Sequence, residues 1–440
     1  MKVRSPRIFP AGAFTEGSAI ERIERVLDAL PDGELIDALE KQTSEGRSRR
    51  HAADSLWRVL IAGVLLGHRY VANILAELRR NDRLRTICGL GPSEDVPQEY
   101  EMSRFVKRLV KQQDKVDVIF VALVRAIREY LPDLGKQLAQ DGTHLRTNAR
   151  GKQDPAESAD PEATYGVKTK PGARKDGSTY ERAFAWFGYK LHLLVDTEHE
   201  LPVAYTVTSA SEDEAKQIIP CMQQAEKTLA PRADGSEAEP VRFFEDVPVA
   251  ADKGYDDTEI YRILHEDFGA KPVIDMRHAT ADVGTVYDRD RDTRVRNEQT
   301  GEFRDLRFLG YEKDRQSLKY GCPCDGVGPC PFFGARCSKP SGGPGAIIRI
   351  KLADNYRYYT AIPRESKKWD REYDRRTAVE RVNGRLKQVL DIEYTGFRGK
   401  NKVRLRASLG LVAMLAHALA ALQAHQPANI RSMAQRAEAG

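Results

Sequence analysis

Hydrophobic and polar positions follow two periods along this chain. Up to about residue 135 the apolar side chains recur at helical spacing. Ser55–Leu78 (SLWRVLIAGVLLGHRYVANILAEL) is apolar on every face, as a buried helix pair is. Glu101–Tyr130 interleaves Phe105, Leu109, Ile119, Phe120, Leu123 and Ile127 with Arg104, Lys107, Arg108 and Lys111. These stretches predict a helical domain over 1–135 with one basic end. From 136 the period shortens to that of strands. Leu138–Thr147 reads as a strand carrying Asp141, and Ala149–Ser178 as a polar loop. Gly188–Val195 and Leu201–Thr208 read as a hairpin around Asp196-Thr197-Glu198-His199-Glu200. Glu212–Leu229 predicts a helix followed by the polar loop ADGSEAEP. Val247–Ala251 predicts a short strand ending at Asp252. Asp256 with Glu259 has the form of a capping box for the helix IYRILHEDF. Lys271–Met276, Ile347–Leu352 and Tyr356–Ile362 read as further strands, and a helix covers Tyr373–Lys387. Strands followed by alternating helices imply an α/β fold, a mixed sheet flanked by helices. On this reading the α/β core occupies 136–276 and 346–425, split by a loop-rich insertion over 277–345, with a tail over 426–440.

Composition adds little until it is localised. Charged residues make up 31% and the net charge is +5, which permits a polyanionic partner without requiring one. Ala407–Ala424 is mostly apolar, but Ser408, His417 and Gln423 interrupt it, so a buried core helix is expected rather than a membrane span. The first residues (MKVRSPRIFPAGAF) lack the apolar run of a secretory signal. Six cysteines, four of them within Cys322–Cys337, do not form a secreted disulfide framework, and a reducing cytoplasmic setting is expected.

The stretch Tyr373–Lys387 (YDRRTAVERVNGRLK) carries the chemistry. On a continuous helix of about 100° per residue, Tyr373, Arg376, Glu380 and Lys387 share one arc of about 60°. Ala378, Val379, Val382, Leu386, Val389 and Leu390 fill a separate arc. A carboxylate within a basic row suits a metal and a polyanion together; alone, such a helix is equally an ion-paired surface with Arg376 and Glu380 at i, i+4. Two further carboxylates alter the balance. Asp141 (QDGTHL) and Asp252 (ADKGYDD) each follow a short apolar stretch and closely precede a glycine, at strand ends where a side chain reaches a cleft. Three carboxylates at one site need a cation, and oxygen ligands without His or Cys indicate Mg²⁺ or Mn²⁺. Two such ions about 4 Å apart suit phosphodiester chemistry.

Cys322, Cys324, Cys330 and Cys337, spaced C-x-C-x5-C-x6-C, can close a tetrahedral site whose usual occupant is zinc. Cys88 and Cys221 read as packing residues. His144, three residues past Asp141, is expected on the opposite strand face as a structural histidine. Arg398–Arg406 (RGKNKVRLR) is a basic run that could extend a phosphate-binding surface.

The motif Tyr-x2-Arg-x3-Glu-x6-Lys is met at every specified position by Tyr373, Arg376, Glu380 and Lys387. It resembles the signature of bacterial insertion-sequence transposases with an Asp-Asp-Glu triad, in the insertion-sequence-four superfamily. QDGTHL, GYKLHLLVDTEHELPVAYTVT, ADKGYDD and TAVERVNGRLK resemble the same family over about 136–424, and SRFVKRL resembles its N-terminal region. The resemblance implies an RNase H-like core in which Asp141, Asp252 and Glu380 bind the metal ions. By it, Tyr373, Arg376 and Lys387 contact the DNA backbone at the element ends, and the helical domain is a candidate for end binding. It further implies the element's terminal inverted repeats and target DNA as partners, a homodimer when two ends are brought together, and no membrane. Cysteine-bearing insertions occur in some members, which favours a structural zinc. One departure is SASEDEAK after the hairpin, where members often have Asn-x-His-Asp; neither Asp213 nor Glu214 receives a catalytic role. The expected activity is metal-dependent strand cleavage at mobile-element ends and strand transfer. A nuclease without strand transfer and a domesticated, non-catalytic DNA-binding protein are the alternatives.

Overall fold

The computed structural model describes residues 19–41, 50–152, 154, 157–173, 178–230, 243–277, 293–324, 329–339, 343, 345–364 and 366–433. The N-terminal stretch, the ADGSEAEP loop and the end of the tail lie outside them. Packing divides the chain into two units, residues 1–236 with 377–440, and residues 237–376.

The first unit begins with α1 (Ala19–Asp28), α2 (Gly33–Lys41), α3 (Ala53–Leu65), α4 (Val71–Arg80), α5 (Asp82–Ile87), α6 (Glu99–Val110) and α7 (Gln113–Tyr130). Its starts are set by side chains: Asn81 accepts the Leu84 N–H at 3.0 Å, and the Glu101 carboxylate accepts the Gln98 N–H at 2.7 Å. A long helix, α12 (Lys400–Gln423), is buried from Leu405 through Leu422 and packs on α1, α3, α6 and α7. The apolar stretch is therefore the core around which the other helices assemble, its apolar window wholly buried inside the protein.

Four antiparallel strands follow: β1 (Leu138–Arg146), β2 (Thr164–Ala173), β3 (Thr179–Asp196) and β4 (Leu201–Ser209). β3 spans them all. Its first half pairs with β2 (Thr164↔Gly188 to Ala173↔Thr179), and its second half pairs with β1 (Leu138↔Asp196 to Arg146↔Gly188) and with β4. Gly188 marks the exchange of partners. Its φ is 151°, and a Cβ there would lie 2.2 Å from the Leu145 carbonyl oxygen. α8 (Ile218–Leu229) and α11 (Thr377–Gln388) complete the unit; α8 packs on β3 and β4, and α11 on β1 and β3.

Strand β2 corrects the loop expected over 149–178. Its glycines read as a loop because they leave side-chain positions blank, and Pro171 because it has no N–H to give a strand ladder. Here the blanks are filled from β3: a Cβ on Gly166 would fall 2.3 Å from the Trp186 ring, and one on Gly172 would fall 2.5 Å from Tyr180.

The second unit holds a parallel pair, β5 (Pro248–Ala251) and β6 (Lys271–Ile274), joined through α9 (Thr258–Glu266) and packed by α10 (Lys367–Asp374). Asp257, not Asp256, caps α9 through the Glu259 N–H at 2.8 Å. Asp256 is instead buried and ion-paired. Burial pushes its carboxyl up, but hydrogen bonds from Arg357 and the Arg277 N–H hold it below the ordinary value. The region expected as loop-rich contains the ribbon β7 (Arg294–Arg296)–β8 (Phe303–Asp305). It also contains an antiparallel sheet of β9 (Arg307–Glu312), β10 (Ser317–Gly321) and β11 (Ile347–Lys351), ordered β11-β10-β9. Leu306, Leu318, Tyr320, Ile350, Leu352 and Tyr359 form its core. Tyr356–Ile362 is not a strand. The Asn355 side chain accepts the N–H groups of Arg357 and Tyr358 at 3.1 and 3.2 Å and turns the chain there.

Candidate active site and thiol cluster

Asp141 is half-buried on β1, where α11 crosses the strand. The apolar face expected for this helix is real: Ala378, Val379, Val382 and Leu386 are fully buried. It fixes the rotation of α11 so that Asn383 Nδ2 donates to Asp141 Oδ2 at 3.1 Å. Glu380 stands one turn earlier, exposed in the first turn, where unpaired helix N–H groups favour a carboxylate. Asn383 was not singled out by the sequence; its i+3 spacing from Glu380 was the available signal. On the other side of Asp141, Gly142 lies under Glu214. A Cβ at Gly142 would sit 2.2 Å from Glu214 Oε1, and the Glu214 carboxylate lies 3.6 Å from Lys190 and 3.9 Å from Lys168. Glu214 is thus brought against the strand that carries Asp141.

The helix expected over Tyr373–Lys387 is broken. α10 ends at Asp374, Arg375 and Arg376 form a turn, and α11 begins at Thr377. The Arg376 N–H bonds to the Tyr373 carbonyl, three residues back, at 2.9 Å, closing the turn instead of continuing an α-helical ladder. Tyr373, Arg376, Glu380 and Lys387 therefore do not share one continuous helix. Glu380 and Lys387 belong to the first unit, Tyr373 and Arg376 to the second.

In the second unit, Asp252 follows β5 and its Oδ1 accepts the Gly254 N–H at 2.7 Å. A Cβ on Gly254 would lie 2.7 Å from the same oxygen, which accounts for the glycine in ADKGYDD. Tyr373 stacks on Trp369 at 4.7 Å and 10°, with the Arg376 guanidinium 5.6 Å from its ring centre. Burial pushes the Tyr373 phenol upward, and the negative charges of Asp275 and Asp252 add to that shift. The unit thus gathers Asp252, Tyr373 and Arg376.

Lys387 is not a solvated lysine. Its Nζ lies 3.0 Å from His144 Nδ1 and 3.8 Å from Glu393 Oε2, while His144 Nε2 meets Glu393 Oε1 at 2.8 Å. The same Nζ lies 3.4 Å from His144 Nε2, so the ammonium packs against the imidazole ring. Burial lowers the Lys387 pKa to about 8 against the pull of Glu393, and the His144 hydrogen bond holds the Glu393 carboxyl below its ordinary value. His144 and Asp141 both contact α11, one through Lys387 and one through Asn383. The basic run is also partly withdrawn. Arg404 pairs with Asp117, and Arg406 is buried, donating to the Leu390 carbonyl.

The four cysteines of the second unit converge. Cys322 and Cys330 Sγ lie 3.5 Å apart, Cys324 and Cys337 Sγ lie 3.6 Å apart, and all four fall within 4.8 Å of one another. All are buried, and the Cys324 N–H points at Cys322 Sγ at 3.4 Å. Sulfurs around a tetrahedral zinc with bonds of about 2.3 Å stand roughly 3.8 Å apart, so the cluster has nearly the dimensions of such a site. Among the described residues it is the one group of three or more potential ligands so close together.

Comparison with known proteins identifies the family. The family described as "Transposase DDE domain" matches residues 135–416, well over half of the chain. A second, described as "Transposase domain (DUF772)", matches residues 12–108 in the helical region. No curated protein matches significantly. Among solved structures, a cryo-EM structure of the piggyBac transposase synaptic complex with hairpin DNA is similar at 9% identity and a TM-score of 0.38, covering 95% of this chain and 77% of that one. With the DDE-domain match running from before Asp141 to beyond Lys387, the chain belongs to the DDE transposases: it is a DNA transposase, an enzyme of phosphodiester cleavage and polynucleotidyl transfer.

Proposed function

We propose that this transposase cuts at the ends of its own mobile element and joins the freed 3′-hydroxyl to target DNA, with Asp141, Asp252 and Glu380 as its metal-binding carboxylates. The observation that carries this reading is the docking of α11 on β1, which ties Asn383 to Asp141 with Glu380 one turn away. The donor set is hard oxygen throughout and fits Mg²⁺ or Mn²⁺. A pair of such ions, when bound, supplies Lewis-acid stabilisation of the attacking and leaving oxygens. The remaining work belongs to the chain. Asn383 holds one Asp141 oxygen in place, and Lys387 and Arg376 bring positive charge to the DNA backbone. Tyr373, held flat on Trp369, presents its phenol to the same backbone.

The buried thiol cluster supports a structural zinc that cross-links the end of β10 to the following loop. Bringing two element ends together calls for a homodimer on DNA, and the setting is the bacterial cytoplasm. Glu380→Gln should abolish cleavage of terminal DNA in Mg²⁺, keep end binding and weaken Mn²⁺ binding followed by electron paramagnetic resonance. Normal cleavage by that variant refutes the carboxylate assignment. A product joined to target DNA separates transposition from plain hydrolysis. One zinc per purified chain, lost in Cys330→Ser, is expected for the thiol site; a metal-free, fully stable native chain would exclude it.

A further inference from the structure

Where β1 ends, a guanidinium is wedged between two aromatic rings. Arg146 Cζ lies 5.1 Å from the ring centre of Phe184 on β3 and 5.1 Å from that of Tyr394, in the connection between α11 and α12. Both rings are exposed, at 37% and 39%. Tyr394 also carries the guanidinium of Arg69 at 4.4 Å.

The two arginines differ in what occupies their donors. Arg69 donates Nε and Nη2 to the two carboxylate oxygens of Asp391, each at 3.1 Å. Arg146 faces only Glu393 among the described carboxylates, with Nε 3.6 Å from Oε1, beyond hydrogen-bond range, and its buried Nε has no hydrogen-bond partner. Glu393 is already committed to His144. A purely structural arginine in the same unit behaves otherwise: Arg85 donates to the carbonyls of Leu78, Arg79 and Gly91. Arg146 is held by ring faces, which fix the plane of the guanidinium without using its N–H groups. A planar cation with undersatisfied donors suits a bidentate oxyanion. Lys387 stands beside Glu393 and adds to the local positive charge.

We propose that Arg146, clamped by Phe184 and Tyr394, binds a backbone phosphate of the DNA held at the Asp141 site; this rests on the transposase reading above. The contact is sequence-independent and positions the strand.

The test measures affinity of the full-length protein across a salt series. The probes are a duplex carrying the terminal inverted repeat that flanks the coding region and a random duplex of equal length. Arg146→Gln should weaken both by about tenfold and lower the slope of log affinity against log salt by about 0.9, the value for one lost phosphate contact. Arg146→Lys keeps the charge and should restore the slope without the full affinity. Phe184→Ala and Tyr394→Ala should lower affinity with the slope kept. Unchanged affinity and slope in Arg146→Gln overturn the proposal, as does weakened binding with an unchanged slope, which marks a structural role. Should Arg146→Gln fail to fold, an Arg146→Lys protein binding with wild-type affinity overturns it. Failure of the wild-type protein to bind either duplex removes the underlying reading as well, whereas normal wild-type binding with a silent Arg146→Gln removes this proposal alone.

Discussion

Lys387 offers a quantitative check on the DNA contacts. The groups that act on it are Glu393, His144, Lys168, Asp141 and Arg146. Burial is the largest influence and lowers its pKa from an ordinary 10.5 to about 8. Holding the ammonium there in the free enzyme costs roughly 3 kcal/mol, at about 1.4 kcal/mol per pH unit. A DNA phosphate beside Nζ supplies the missing counter-charge and returns the pKa toward its ordinary value. Below pH 8 the lysine is already protonated and terminal-DNA affinity should be flat. Above pH 8 binding must take up a proton, and affinity should fall by up to about tenfold per unit, about twentyfold between pH 7.5 and 9.5.

Fluorescence anisotropy with a labelled terminal duplex, at constant ionic strength and without added divalent metal, measures this directly. Lys387→Met should bind more weakly at pH 7.5 and lose the extra dependence. The stability of the free enzyme should move in the opposite direction. A lysine whose folded pKa lies below its unfolded value leaves the unfolded chain binding more protons between about pH 8 and 10.5. Wild type should therefore gain thermal stability relative to Lys387→Met as pH rises through that window. Wild type and Lys387→Met losing affinity in parallel from pH 7.5 to 9.5 would refute the placement of Lys387 against phosphate.

Asn383→Ala removes the hydrogen bond to Asp141 and should cost about 1 kcal/mol of stability by chemical denaturation. Its larger effect should be on cleavage of terminal DNA, and an unchanged cleavage rate would dismiss Asn383 as a positioning residue. Gly142→Ala drives a Cβ to 2.2 Å from Glu214 Oε1 and should displace that side chain from its lysines. Adding Glu214→Ala should recover most of the lost thermal stability, and strictly additive effects would contradict the clash. Gly410→Ala places a methyl 2.7 Å from Ile392 Cγ2 in the core of the first unit and should destabilise it by about 1–3 kcal/mol, seen as a lower unfolding temperature.

The parts of the fold that were legible are those whose periodicity is their own. α12 is apolar on all faces because it is surrounded, and β5 ends directly before Asp252 as its pattern marked. Asp141 instead lies inside β1, which pairs on with β3 as far as Arg146, so its strand-end placement does not hold. The unread parts depend on residues distant in sequence. β2 is a strand because Trp186 and Tyr180 fill its glycine gaps, and Asn383 bonds an aspartate 242 residues away. Glu393, which organises His144 and Lys387, carried no local signal at all. The motif Tyr373–Lys387 shows how a correct spacing can rest on a wrong geometry. Its period fits one helix, yet the chain turns at Arg375–Arg376, so the four residues are held by two elements with different anchors. α11 fixes Glu380 and Lys387 against β1 through its buried apolar face, while α10 fixes Tyr373 against β5 and β6. The connection is only Arg375–Arg376, and Glu380 is carried by the docking of α11 on β1. Substituting Val379 or Val382, whose buried side chains seat α11 on β1, should therefore disturb Glu380, seen as lost cleavage of terminal DNA with α11 still helical.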